Sequence, residues 1–288
     1  MHIINREQIK SNAKAKVLDS TLNLLPITAV FLALTDLLSN LLHFFVESPI
    51  NTIAEEFFTV IEDIRTAALE AEMQVAPNLA PAYAAAGRVA RELLSHPTKQ
   101  ALLFGFLVLY LYQLVMSFGF RGVCLRVNRG ERLNWANLFD TLWMAGRIVL
   151  LNLLAALLIY IGAFFFLLPG LMAYYGLRLT PFVMLDHPEW SALRCMAESW
   201  RLSSGMKMGL FWLDLSFVGW DFVGFLATSM GLDLGGLLHP LAAVLLSAVL
   251  YGIIAVFYLP YKAVTLAEYY EILRSTKPLP TETPRHEL

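Results

Sequence analysis

Six long apolar stretches divide the chain and limit the folds that are open to it. They lie at about 21–45, 100–120, 148–168, 171–186, 208–230 and 240–265. A helix needs about 20 mostly apolar residues to cross a bilayer. Charged residues make up only 15% of the 288 residues, whereas ordinary soluble domains contain about 25%. The sequence therefore predicts an all-α fold, a polytopic membrane bundle of six transmembrane helices with amphipathic interfacial helices.

The distribution of Lys and Arg predicts the orientation of these helices. Basic residues cluster before the first stretch, between the second and third, between the fourth and fifth, and after the sixth. Cytoplasmic loops are enriched in Lys and Arg, so these segments and both termini are predicted to be cytoplasmic. The opposite side receives the acid-rich segment 46–98, the LPG turn at 168–170 and the loop GLDLGGLLHP. The first twenty residues are polar and basic, so no cleavable signal peptide is predicted.

The expected organisation has five parts. They are a cytoplasmic amphipathic segment at 1–20, the first transmembrane helix at 21–45, an extracytoplasmic helical insertion at 46–98, a five-span membrane domain at 99–272 and a flexible cytoplasmic tail at 273–288. Apolar residues in the insertion recur at three- and four-residue steps, which predicts two helices separated by APNLAP. The simpler interpretation is a helical hairpin packed on the outer face, and the alternative is a partner-binding surface.

Two cytoplasmic stretches before predicted hairpins have helical spacing of apolar residues. NWANLFDTLWMAGR follows this pattern after Asn134, a predicted N-cap. In DHPEWSALRCMAESWR, Asp186 is a predicted cap, and the stripe is formed by Trp190, Leu193, Ala197 and Trp200. Short helices of this kind lie in the headgroup plane and anchor a protein through tryptophan and basic side chains. The predicted anchors are Trp135, Trp143, Trp190, Trp200 and Lys207.

A series of motifs covers the chain from about residue 122 to 272. In order they are LRVNRGERLNWANLFD, LPGLMAYYGLRLTPFVMLDHPEWSALRCMAESWRLSSGMKMGLFWLDLSFVGW and LPYKAVTLAEYYEIL. Together they resemble the domain-of-unknown-function 975 family, a group of bacterial integral membrane proteins without an established activity. The resemblance implies the fold and a location in the bacterial cytoplasmic (inner) membrane, but no reaction. The insertion at 46–98 departs from the family in length and composition.

Four ionisable residues within the predicted spans are candidates for a functional site: Asp36, Arg178, Asp214 and Asp221. A charged group in hydrocarbon costs about 3 kcal/mol or more unless it is paired or hydrated. One interpretation is an ion pair between Arg178 and either Asp214 or Asp221 that fixes the packing of two spans. The other is a cavity lined by all four residues for an ion, a proton or a small polar ligand. Pro181 predicts a helix break beside Arg178.

The sequence contains no recognisable catalytic motif. The histidines are scattered, and H-E-x-x-H, G-x-S-x-G and P-loop patterns are missing. Cys195 has His187 nearby but no identifiable orienting group, and two cysteines do not suggest a zinc site. We therefore expect no enzyme activity, no catalytic residue, no metal and no other cofactor.

Two functional hypotheses follow from these observations. In the first, the protein is a scaffold or accessory component of a membrane assembly, and a protein partner binds the 46–98 insertion or the cytoplasmic interfacial helices. In the second, it is a transporter or sensor of a small polar, peptidic or lipid-like ligand, which occupies an intramembrane Asp/Arg cavity. Membrane lipids are expected partners in both cases. The formal charge of −2 provides no general attraction to nucleic acid, which is not an expected partner.

Overall fold

The computed structural model describes residues 6–41, 97–165 and 167–277, together with positions 62 and 87. These residues form helices and turns with no strand among them, which confirms the predicted all-α class. The chain divides into two compact units, Met1–Leu37 with Tyr112–Leu288, and Leu38–Leu111. The predicted insertion at 46–98 falls almost entirely outside the described residues, as does most of the predicted tail.

We number the α-helices of the described residues in chain order. They are α1 Arg6–Asp19, α2 Thr21–Leu32, α3 Pro97–Asn128, α4 Ala145–Phe165, α5 Leu167–Leu177, α6 Thr180–Asp186, α7 Ala192–Ser203, α8 Lys207–Leu215, α9 Val218–Gly236 and α10 Pro240–Thr276. A π-helical turn, Ala33–Leu37, follows α2.

Five helical segments of the described chain are long and apolar enough to cross a membrane. They are Thr21–Leu41, Phe104–Asn128, Trp135–Phe164, Lys207–Gly236 and Pro240–Thr276. They match five of the six predicted spans, and they identify the chain as a membrane protein. The remaining prediction, at 171–186, corresponds to α5 and α6, which are 11 and 7 residues long. Neither of these two helices reaches across a bilayer by itself.

The break between α5 and α6 falls at Arg178 and Leu179. Pro181 has no backbone N–H, so the carbonyl of Leu177 loses its helical donor. The Thr180 hydroxyl donates to that carbonyl at 2.7 Å and replaces the missing bond. Proline is tolerated in the first turn of a helix, and α6 accordingly begins at Thr180. The interruption leaves the Arg178 side chain at a junction between two helices.

The hairpin between α4 and α5 turns slightly earlier than predicted. Pro169 and Gly170 lie inside the first turn of α5, which begins at Leu167, whereas α4 ends at Phe165. The LPG motif is therefore the start of a helix, where proline fits. A Cβ at Gly170 would lie 2.8 Å from Cα of Ala163. The glycine thus allows the two helix backbones to touch.

The stretch after Asn134 folds as two short 3₁₀-helices, Trp135–Leu138 and Leu142–Met144, instead of one α-helix. The predicted N-cap position is correct, and the backbone N–H of Asn134 donates to Oδ1 of Asn137 at 2.7 Å. Leu138 is buried, and its carbonyl lies close against Gly119 of α3. Leu138 and Met144 thus face inward, whereas Trp135, Leu142 and Trp143 stay on the surface.

Asp186 does not cap the helix that follows it, contrary to the sequence prediction. The N-cap of α7 is Ser191, whose hydroxyl accepts the backbone N–H of Arg194 at 3.3 Å. Most of the predicted stripe on α7 faces away from the protein, since Leu193, Ala197 and Trp200 are exposed. An outward apolar stripe next to basic side chains is typical of a helix in the membrane interface.

The carboxylate of Asp186 instead joins α3, α6 and α10. Its side chain is only 6% exposed and forms ion pairs of 2.8 Å with both Arg129 and Arg274. The Tyr270 hydroxyl donates to it at 2.8 Å. Burial acts to lower the pKa of Arg129, but its bonds to Asp186 and Glu271 raise that pKa above its ordinary value. We call this group of residues the Asp186 cluster.

A second polar group ties α1 to the same end of α10. Lys16 contacts the Glu268 carboxylate at 2.6 Å and donates to Oδ1 of Asn128 at 2.7 Å. The apolar face of α1, formed by Ile9, Ala13 and Val17, is buried. Ion pairs and apolar burial therefore both hold α1 across the ends of α3 and α10.

Glycines allow α9 and α10 to pack closely along their length. A Cβ at Gly231 would lie 2.3 Å from Cα of Ser247, and one at Gly235 would lie 2.4 Å from Cα of Ala243. No side chain fits between backbones at this separation. Small residues are common at such membrane helix interfaces because backbone contact replaces the hydrophobic effect that drives association in water.

We predict that Asp186→Asn destabilises the protein by about 2–3 kcal/mol, because two arginines lose a nearly buried counter-charge. Thermal unfolding in a neutral detergent measures this change. The control is Asp140→Asn, which removes an exposed ion pair with Arg126 and is expected to cost about 0–1 kcal/mol. Equal effects of the two substitutions would contradict a special role for the Asp186 cluster.

We also predict that Gly231→Ala destabilises the contact between α9 and α10 by about 1–3 kcal/mol, because the added methyl group forces the backbones apart. Gly219→Ala in the same helix is the control, since a Cβ there meets no atom within 4 Å. The control is expected to be neutral or to stabilise by up to about 1 kcal/mol through helix propensity. Thermal unfolding in a neutral detergent measures the stability of both variants.

Candidate functional site

A cavity of about 230 Å³ lies among α2, α3, α8, α10 and the break between α5 and α6. Its walls are mainly apolar and include four phenylalanine rings. Its charged lining consists of Arg121, Arg178, Asp214 and Lys262. We call it the basic cavity. Two of the four predicted site residues, Arg178 and Asp214, belong to it.

The Asp186 cluster explains why these side chains converge. Arg121 precedes Arg129 by eight residues, and Arg178 precedes Asp186 by the same number. At 1.5 Å per residue, both lie about 12 Å from the cluster along their own segments. Lys262 precedes Glu271 by nine residues, which corresponds to about 13 Å. The Asp186 cluster fixes these three segments at one level of the membrane. Arg121, Arg178 and Lys262 therefore lie at a similar depth.

Arg178 pairs with Asp214, one of the two pairings that the sequence left open. Nη2 of Arg178 lies 3.1 Å from Oδ1 of Asp214, and the guanidinium lies over the Tyr174 ring. Nε of Arg178 is buried and has no hydrogen-bond partner among the described residues. The arginine therefore retains an unused donor inside the protein.

Asp221 forms a separate polar group with residues of α10. Lys262 donates to its two carboxylate oxygens at 3.1 and 2.9 Å, and the Tyr258 hydroxyl also donates to it. Lys262 lies 2.7 Å from the Tyr258 hydroxyl. The charge of Lys262 is thus compensated at one edge of the basic cavity.

Arg121 has no such compensation. Its guanidinium lies 5.6 Å from the centroid of the Phe118 ring, and it forms no ion pair or hydrogen bond with the described residues. Lys10 lies 4.5 Å from the centroid of Phe217 but is not part of the cavity lining, so Arg121 alone among the lining cations is uncompensated by the described residues. The basic cavity therefore has a surplus of positive charge, whereas the four residues chosen from the sequence suggested a surplus of acid.

Asp36 lies apart from the other three predicted site residues. It is in the π-helical turn Ala33–Leu37 and lines a second cavity of about 230 Å³ with Tyr251 and mostly apolar neighbours. Thr35 donates a hydrogen bond to its carboxylate at 3.3 Å. The structure therefore distributes the four candidates over two cavities and the Asp221 group.

Arg121 is not among the site residues predicted from the sequence, because it follows the predicted second span and so falls in a predicted cytoplasmic loop. The predicted span ended at 120, whereas α3 continues without interruption to Asn128. The segment SFGFRGVCLRVN contains no proline, and this was the available signal that the helix runs on. Lys262 was visible near the end of the last predicted span, but nothing in the sequence indicated that it meets Asp221.

The predicted interfacial anchors occupy different environments. Trp135 and Trp143 are among the exposed aromatic residues, and Nζ of Lys207 lies 3.4 Å from the centroid of the Trp200 ring. Trp190 is only 8% exposed. It stacks on the His187 ring with 4.0 Å between centroids, and Arg194 lies 3.9 Å from its centroid. Trp190 thus packs within the protein.

The Cys195 thiol is buried on the inner face of α7. Burial raises the pKa of this thiol to about 11. A thiolate is the nucleophilic form of cysteine, so Cys195 remains a protonated thiol near neutral pH. His187 bonds through Nδ1 to Glu189 at 3.2 Å, and its Nε2 is buried without a partner among the described residues.

The chain belongs to the DUF975 family, whose model is described as "Protein of unknown function (DUF975)" and matches residues 1–277. The matched range is wider than the motifs at 122–272, and it includes the segment 46–98. No curated protein and no solved structure matches the chain.

We predict that neither cysteine reacts rapidly with iodoacetamide in the folded protein at pH 7.5, because both Cys124 and Cys195 are buried. Mass spectrometry of labelled peptides would show both sites modified only after unfolding. Rapid labelling of Cys195 with an apparent pKa near or below 8 would contradict this prediction. It would make Cys195 a candidate nucleophile.

Proposed function

We propose that this membrane protein binds a ligand with one negative charge in the basic cavity, as the ligand site of a transporter or sensor. Three cations, Arg121, Arg178 and Lys262, border the cavity in the described part of the chain. Two carboxylates, those of Asp214 and Asp221, pair with the last two. One positive charge is left, and it is located on Arg121.

The uncompensated charge of Arg121 is the observation that carries this proposal. A lone cation within a span costs about 3 kcal/mol or more. Ionisable residues inside a membrane face cavities or partners and mark ligand pathways. An anion in the cavity beside Arg121 compensates this charge.

The size and composition of the basic cavity agree with a small anionic group. Its volume of about 230 Å³ is below the roughly 300–1,000 Å³ of sites that enclose a drug-sized ligand. Aromatic walls exclude water and so strengthen each charge interaction inside the cavity. Placement of the basic loops in the cytoplasm puts this site in the inner half of the bacterial inner membrane.

The scaffold hypothesis is a separate proposal. Its expected docking segment at 46–98 falls mostly outside the described residues, while α7 presents an outward apolar stripe that fits the membrane interface. The basic cavity therefore favours a ligand-binding function, with a partner-binding role for the insertion as an additional prediction. The contacts of Cys195 and His187 do not suggest a reaction, and we expect no enzyme activity.

The test uses Arg121→Gln in purified protein held in a neutral detergent. In the absence of ligand, this substitution is expected to keep or raise the thermal midpoint, because it removes a half-buried cation that has no ion-pair partner among the described residues. Each kcal/mol corresponds to about 2–4 °C in a protein of this size. A residue that serves only folding would lower the midpoint, and a drop like that of Asp186→Asn would contradict the proposal.

Ligand binding provides the second measurement. Inorganic phosphate, a soluble phosphodiester and phosphatidylglycerol are added separately, and at least one of them is expected to raise the midpoint of the wild-type protein. Arg121→Gln should abolish this rise. The matched control is Arg126→Gln in the same helix, which affects only a surface pair and should preserve the rise. If no anion stabilises the wild type, the proposed function is wrong.

A further inference from the structure

The lining of the basic cavity combines charged and apolar side chains. Arg121, Arg178 and Lys262 supply charge, and rings such as Phe120, Phe182 and Phe217 complete the walls. A free inorganic ion would contact only the charged side chains. A ligand with an anionic group joined to an apolar body would contact both, so the lining favours an amphiphile over a simple ion.

The cavity is not sealed, and its exposed edge lies on a membrane span. Asp214 and Lys262 retain 23% and 27% exposure of their side chains. On the adjoining surface of α8 and α9, Leu215, Val218 and Trp220 are among the exposed apolar residues. The half-exposed carboxylate of Asp221 is on this same surface. These residues belong to the candidate span Lys207–Gly236, so the surface beside the edge faces lipid.

The depth of the site also suits a lipid headgroup drawn into the protein. Lys207 and Trp200 are at interfacial positions, and Asp214 lies seven residues beyond Lys207, which is about 10 Å deeper. The interfacial layer on each side of a bilayer is only about 5–7 Å thick. A phosphate at the level of Asp214 would therefore lie below the headgroup layer, away from water and counter-ions. The positive charge of Arg121 would compensate the phosphate at that depth.

From these observations we propose that the ligand is the phosphodiester of an anionic membrane lipid, which enters the basic cavity sideways from the inner leaflet. The inference rests on the proposed function. The phosphodiester carries one negative charge, equal and opposite to the surplus on the cavity. The phosphate contacts Arg121 beside the Arg178–Asp214 pair, and the acyl chains extend over the apolar surface of α8 and α9. The cavity volume admits the headgroup alone, so the chains stay in the bilayer.

The same charge chemistry is available from a soluble phosphodiester, and the experiment separates the two sources. Wild-type protein in a neutral detergent is titrated with phosphatidylglycerol, with glycerophosphoglycerol as the identical headgroup without acyl chains, and with inorganic phosphate. Thermal midpoints are compared at equal phosphate concentration. We expect phosphatidylglycerol to raise the midpoint by several degrees and the two soluble anions to require at least about tenfold higher concentrations, since the chains contribute apolar contact.

Two variants locate the effect. Arg121→Gln should remove the response to phosphatidylglycerol, and Arg121→Lys should retain part of it, because a point charge binds phosphate less specifically than a guanidinium. Val218→Asp adds an unpaired carboxylate beside the lateral edge, where the existing carboxylate of Asp221 is compensated by Lys262, and it leaves the charged side chains of the cavity in place. This variant should weaken the response to the lipid and leave any response to inorganic phosphate unchanged.

The outcomes distinguish this inference from the proposed function. If glycerophosphoglycerol stabilises the protein as strongly as phosphatidylglycerol, the ligand is a soluble anion, and the lipid inference falls while the proposed function stands. If phosphatidylglycerol stabilises Arg121→Gln as well as the wild type, the lipid binds elsewhere on the surface and the inference is overturned. If none of the three compounds stabilises the wild type, both proposals fail.

Discussion

The buried carboxylate of Asp186 is the interaction on which the arrangement of the membrane helices depends. It holds Arg129 at the end of α3 and Arg274 near the end of α10, while Asp186 itself ends α6. Three segments that are distant in sequence are thus fixed at one level. Two turns deeper, the same segments contribute Arg121, Arg178 and Lys262. The basic cavity is therefore a consequence of the alignment that the Asp186 cluster imposes.

Hydrocarbon provides no hydrogen-bonding partners, and this explains how the cavity is built. The break before α6 is tolerated because the Thr180 hydroxyl satisfies the carbonyl of Leu177, as irregular backbone in a membrane requires. Arg178 and Lys262 are compensated by carboxylates from the segment α8–α9. Arg121 is the exception. Among the described residues it has no carboxylate partner, and such a cation within a span lowers the stability of the protein.

Sequence reasoning found part of this site. Arg178 and Asp214 were chosen because ionisable residues are rare in apolar spans, and that criterion needs no tertiary information. Arg121 was missed because the end of an apolar stretch is a poor guide to the end of a helix, which continued to Asn128. Asp36 is grouped with the others in the sequence by its charge and by its expected depth in the first span. Charge and depth do not specify which face of a helix meets which neighbour, so the division into two cavities was not predictable.

The sequence by itself determined that this is an all-α membrane protein of the DUF975 family, with apolar stretches that set the spans and a proline that breaks one of them. These properties are local, because span length depends on consecutive residues and a missing N–H depends on one residue. The tertiary structure decided that Asp186 bonds to Arg129 and Arg274 and caps no helix. It also decided that Asp221 meets Lys262 and that Arg121 has no carboxylate partner within the part of the chain that the structure describes. Ion pairing depends on the rotation and order of packed helices, and those arise from contacts between residues far apart in the chain.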